Sequence, residues 1–128
     1  MSRNRFRNLS AGGLALSLAA ILSAAFPATS APSYDGLWSV VIVTEKGTCD
    51  RAYRYPVKID NGAVGYAGGA SFDVNGKVAP TGAVVVTVSK AGKSATGTGR
   101  MSATDGAGTW TAAGGECSGT WSAERRAS

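Results

Sequence analysis

The chain has 128 residues, 44% of them hydrophobic, with thirteen Lys and Arg against eight Asp and Glu and a formal charge of +5. It contains no histidine, which removes the commonest general base, the Ser-His and Cys-His nucleophile pairs, and the usual imidazole ligands of zinc, copper and haem.

At the start, Arg3, Arg5 and Arg7 are followed by an apolar, Ala- and Leu-rich stretch from Leu9 to Phe26 and by the small residues Ala28-Thr29-Ser30. That order of charged, apolar and small segments predicts a secretory signal peptide over residues 1–30, cleaved after Ser30. A membrane anchor is the competing reading, but an uncleaved helix wants roughly 20 strongly apolar residues, and Ser10, Gly12, Gly13, Ser17 and Ser23 dilute this run. No cysteine stands at the exit to carry a lipid. The expected address is the periplasm or the extracellular space, with no membrane span after processing. With the leader go three of the thirteen basic residues and none of the eight acidic ones, which leaves +2. Lys46, Arg51, Lys58, Lys77, Lys90 and Lys93 are scattered, not clustered, so charge gives no argument for nucleic acid binding.

Residues 31–128 suffice for one small domain, and a domain of this size benefits from a covalent staple. Cys49 and Cys117 are its two cysteines. In an oxidising compartment they are expected to form a disulfide. On the chain-entropy model, closing so long a loop is worth roughly 4 kcal/mol.

From Tyr34 onward there is no helical periodicity, only short strands punctuated by Gly, Asn and Asp, which predicts an all-β domain. The first strand, Gly36 to Thr44, is apolar on both faces, so something is expected to cover its outer side. After the turn Glu45-Lys46-Gly47-Thr48, a second strand carries Tyr53, Tyr55, Val57 and Ile59 on one face. Pro56 within it implies an edge, a bulge or a local break in pairing. Asn61-Gly62 predicts a type I′ hairpin, because both central residues of that turn need positive φ. Val64 and Tyr66 follow as a third strand, Gly68-Gly69 breaks it, and Ala70, Phe72 and Val74 read as a fourth. Asn75-Gly76 is expected to be a turn or bulge before Val78. Pro80-Thr81-Gly82 leads into Val84-Val85-Val86-Thr87-Val88, the most β-prone run of the chain, and Lys90-Ala91-Gly92-Lys93 turns back into a sixth strand through Met101. Asp105-Gly106 opens a seventh strand carrying Trp110, and Gly114-Gly115 an eighth from Cys117 to Arg125.

Eight such strands suggest an antiparallel meander that removes its edges by closing into a barrel, with a β-sandwich as the alternative. In a closed meander the end of the first strand meets the start of the eighth. Cys49 and Cys117 lie there, so their bridge would lock the seam. Trp38, Tyr53, Tyr55, Tyr66, Phe72, Trp110 and Trp121 share the interior phase, and Gly97, Gly99, Gly108 and Gly119 face them. Large residues opposite small ones fill a tapering barrel, the reading favoured here, or leave an aromatic-lined cavity. In the second case the expected ligand residues are Tyr53, Tyr55, Tyr66 and Trp110. Three inward tyrosines, whose hydroxyls need partners, favour an opening at one end.

No catalytic residues and no metal site are expected. The carboxylates of Asp35, Asp50, Asp60, Asp73, Asp105, Glu116 and Glu124 fall mostly in turns or on polar strand faces. Axial haem ligation by Tyr53, Tyr55 or Met101 is chemically conceivable, but core packing explains these residues better, so no cofactor is expected.

The Gly36-Leu37-Trp38 start and the Trp121-to-Arg125 end resemble the lipocalin and avidin barrels. The resemblance implies that Arg125, at an inward position, caps Trp38 by a cation–π contact, with Trp38, Trp121 and Arg125 as structural residues. Gly36-x-Trp38 followed by Cys49-Asp50-Arg51 resembles the opening of small periplasmic inhibitors of secreted bacterial metalloproteases, which implies inhibition of a protease or lysozyme as an alternative role. Over residues 31–128 the chain is similar to small exported bacterial proteins of unknown role that carry a loose haem-utilisation or adhesion exoprotein label. The leading expectation is a monomeric, non-enzymatic barrel binding a small ligand or a protein or cell-surface partner.

Overall fold

A computed structural model of the chain describes residues 33–69 and 72–128. The expected leader, its cleavage after Ser30, and Ala70 of the fourth strand lie outside the described residues. Eight strands follow one another: β1 (Gly36–Lys46), β2 (Ala52–Asp60), β3 (Ala63–Tyr66), β4 (Asp73–Val78), β5 (Ala83–Lys90), β6 (Lys93–Met101), β7 (Asp105–Ala112) and β8 (Ser118–Ala127). Each pairs antiparallel with the next, and β1 pairs with β8, so the sheet is a closed eight-stranded barrel, not a sandwich.

The turns follow from local chemistry. Asn61 and Gly62 both hold positive φ, at 51° and 78°, as a type I′ hairpin needs. Asp35 caps that turn, its carboxylate accepting from the Asn61 and Gly62 N–H groups at 3.0 and 3.3 Å. Ala91 and Gly92, at 52° and 81°, make a second turn of this kind between β5 and β6.

Asn75-Gly76 is neither turn nor bulge, and here the expectation fails: β4 runs straight through it, Gly76 standing opposite Val64 and Val86. The dipeptide signals a turn only where both φ values go positive. Here the glycine serves close approach instead, since a Cβ at Gly76 would come within 2.8 Å of the Val86 Cα. Pro56 lies where the β2–β3 ladder ends, just beyond the Val57–Tyr66 pair, so its missing N–H interrupts nothing; its carbonyl still accepts from Ala67 N–H at 3.2 Å. Among the described residues nothing supplies the expected cover over the outer face of β1, for Leu37 and Val43 stay 39% and 38% exposed.

Along the seam Trp38 faces Arg125, Ile42 faces Trp121 and Thr44 faces Gly119. The Cys49–Cys117 disulfide, with Cα atoms 6.1 Å apart, ties the β1–β2 loop to the residue before β8, within the usual span of such a bridge. At the other end of the barrel Trp38 is wholly buried and Ile59 and Val84 nearly so.

Candidate functional site

The chain enters β1 from beneath the barrel, and its first described residues make the floor. Trp38 donates its indole N–H to the Tyr34 carbonyl at 2.8 Å, and Tyr34 reaches across to the Pro80 carbonyl with its hydroxyl at 3.3 Å. Arg125 donates to the carbonyls of Ala103, Asp35 and Ser33 at 2.7, 2.6 and 2.7 Å. Its guanidinium lies 5.0 Å from the centre of the Trp38 ring. One side chain thus fastens the entering segment, the β6–β7 turn and the stopper tryptophan together, through charge-assisted bonds stronger than neutral ones.

Above that floor the interior is not filled. A cavity of about 750 Å³ extends from Trp38 and Met101 up to Thr48, Asp50, Lys93 and Glu116. Thr48 and Asp50 sit in the β1–β2 loop and Glu116 in the β7–β8 loop, while Lys93 begins β6, and all four are exposed, so the lumen opens at this end. Packing and cavity therefore coexist: the barrel is packed at the floor and hollow above it.

The repeated Gly-x-Trp explains how space survives between two tryptophans. Trp110 of β7 stands opposite Gly119 of β8, and Trp121 of β8 stands opposite Gly108 of β7. Each indole reaches past its partner glycine to a carbonyl one strand further on: Trp110 donates to Val43 at 3.0 Å and Trp121 to Thr98 at 3.1 Å. A Cβ at Gly108 would come 2.6 Å from the Trp121 nitrogen, and one at Gly99 would come 2.7 Å from its ring carbon Cζ2. The glycines therefore let Trp121 lie along the wall, with its indole polar group satisfied, instead of across the lumen.

The opposite wall is aromatic. Phe72 packs against Tyr53, Tyr55 and Tyr66 with ring centroids 5.5, 5.7 and 5.4 Å away, and Tyr53 and Tyr55 are 5.7 Å apart. Tyr55 is only 7% exposed, whereas Tyr53 at the mouth is 40% exposed. Burial, reinforced by the neighbouring Tyr53 and Tyr66, pushes the Tyr55 hydroxyl up to about 12. It therefore remains a protonated, hydrogen-bonding group throughout the physiological range.

Of the four residues expected to meet a ligand, Tyr53, Tyr55 and Trp110 line the cavity. Tyr66 does not; it sits against Phe72 and Tyr55, with its hydroxyl folded towards Gly68. Phe72, Val86, Val88, Lys90 and Lys93 also line the lumen and were not singled out as site residues. The alternation of β5 and β6 carries the signal for the last four. Lys90 continues the inward phase of Val84, Val86 and Val88, and Lys93 that of Ala95, Gly97 and Gly99.

Among the described residues no group of three or more His, Cys, Asp or Glu is placed to hold a metal ion, and no helix is long and apolar enough to cross a membrane. Fold and site together define a small disulfide-closed β-barrel with a one-ended lumen. Comparison with protein-family models, curated proteins and solved structures finds no match.

Proposed function

We propose that this is an exported, non-enzymatic binding protein that holds a small, largely apolar molecule in its barrel lumen. The observation that carries the reading is the cavity of about 750 Å³, closed below by Trp38 and Arg125 and open above. Its volume lies within the roughly 300–1,000 Å³ usual for small-molecule sites, and a mostly apolar wall with a few polar groups is their usual chemistry. The non-enzymatic part is supported by the residue inventory: no histidine, both cysteines in the disulfide, and carboxylates that are exposed except for Asp35, which caps a turn.

Titration of the protein with the neutral dye N-phenyl-1-naphthylamine tests the reading. Blue-shifted, saturable fluorescence is expected, and Val86→Trp, which places an indole in the lumen, should abolish it while leaving the far-ultraviolet circular dichroism unchanged. Dye binding that survives in a folded Val86→Trp variant refutes lumen binding. Turnover of a generic hydrolase substrate that disappears on substitution of a single carboxylate refutes the non-enzymatic part.

A further inference from the structure

The inside of this barrel carries two features its packing does not require. Lys90 and Lys93 occupy inward positions at the top of otherwise apolar stripes, and both line the cavity. They stand directly opposite each other across the β5–β6 pair, flanking the Ala91-Gly92 turn, an arrangement that is destabilising for like charges. The ion pair found among the described residues is Arg126 with Glu124, on the outside of the barrel; among those residues neither inward lysine has a carboxylate within 4.0 Å. Lysines often guard the exposed edge of a sheet, but a closed barrel has no edge to guard. Nor does Lys90 simply stretch into solvent, for its ammonium is folded over the Phe72 ring, 4.8 Å from its centre. That cation–π contact holds one positive charge at the top of the aromatic wall.

We propose that the occupant of the lumen is an amphipathic anion, its apolar body among the aromatic rings and its single acidic head between the ammonium groups of Lys90 and Lys93. The proposal rests on the lumen reading above and adds the chemistry of the ligand. An acidic head there relieves the Lys90–Lys93 repulsion and gains two charge-assisted partners at once. Asp50 and Glu116 also line the mouth, on the loops joined through Cys49 and Cys117. They repel a second acidic group and so direct the one head towards the β5–β6 hairpin. Below it, the protonated Tyr55 hydroxyl is available to a polar atom partway along the ligand.

Two dyes that differ by one sulfonate separate this proposal from the reading beneath it. N-phenyl-1-naphthylamine is neutral, and 8-anilino-1-naphthalenesulfonate adds an anion to the same skeleton. The folded protein is expected to bind the anionic dye about tenfold more tightly at low salt, a preference that shrinks as salt screens the lysines. Substituting both inward lysines, Lys90→Gln with Lys93→Gln, should bring the two affinities within about twofold of each other by weakening the anion alone, as the loss of two partly exposed charge contacts would. The outward pair, Lys58→Gln with Lys77→Gln, removes the same net charge and should leave the preference intact. Equal affinities in the native protein overturn the proposal, as does a preference that persists without the inward lysines; neutral binding lost in Val86→Trp then still upholds the lumen. If neither dye binds, both readings fall together.

Discussion

Replacing Trp38 by alanine removes the stopper of the barrel and should be among the most damaging single changes in this protein. The side chain is 0% exposed, and truncating a buried aromatic costs about 3–5 kcal/mol. For a domain of this size that corresponds to a fall in Tm of roughly 12–40 °C, at about 4–8 °C per kcal/mol. Trp38→Phe separates packing from polarity. It keeps a ring beneath Arg125 but deprives the Tyr34 carbonyl of its 2.8 Å partner, a loss worth about 1–3 kcal/mol when the acceptor stays buried. Urea unfolding followed by far-ultraviolet circular dichroism is the suitable assay, because fluorescence would change with the tryptophan itself. The expected order of stability is native, then Trp38→Phe, then Trp38→Ala, with the alanine variant also losing affinity for the neutral dye as its floor opens. A Trp38→Ala variant within about 1 kcal/mol of native stability, far below the usual range for such truncations, would show that the Trp38–Tyr34–Arg125 floor does not hold the barrel shut.

Arg125→Lys keeps the charge but cannot reach the carbonyls of Ser33, Asp35 and Ala103 together, so it should destabilise the floor measurably in the same assay, whereas a purely electrostatic role predicts full rescue. Reducing the Cys49–Cys117 bridge should lower unfolding stability by roughly 4 kcal/mol while the β signal in circular dichroism persists without denaturant. Gly108→Ala drives a Cβ into the Thr98 carbonyl oxygen and to 2.6 Å from the Trp121 nitrogen and should cost about 1–3 kcal/mol as overpacking, read from the urea midpoint; a neutral outcome would mean that β6, β7 and Trp121 do not need that close approach. Burial raises Tyr55 from 10.0 to about 12, so the folded protein holds this proton more tightly than the unfolded chain does. Its contribution to stability is complete below pH 10 and is lost as pH climbs towards 12. Alkaline unfolding curves should show this loss in the native protein and lack it in Tyr55→Phe.

The barrel was legible in the sequence because its information is local and periodic. Period-two alternation assigns faces, Asn61-Gly62 and Gly114-Gly115 mark reversals, and two cysteines placed at the end of β1 and the start of β8 imply the seam on which a meander closes. The same local logic failed at Asn75-Gly76, since a turn-prone pair says what the backbone tolerates, and the neighbouring Val86 backbone decided that it stay extended. It also failed over the cover expected for β1, because an apolar outer face is a statement about one strand and exposure depends on what else folds over it. Alternation likewise brought Tyr53, Tyr55 and Trp110 to the interior but could not tell lumen from wall. Tyr66 shares their phase, yet lies outside the cavity lining, behind Phe72, because β3 is short and ends there. Whether the interior is packed or hollow turned on three-dimensional distances: how closely Trp121 approaches Gly99 and Gly108, and how Arg125 gathers three carbonyls over Trp38. Residue order thus determined the fold class, the bridge and the inward residue set, whereas only tertiary structure decided where those residues leave a space, because empty volume is a property of all the walls at once and of no single strand.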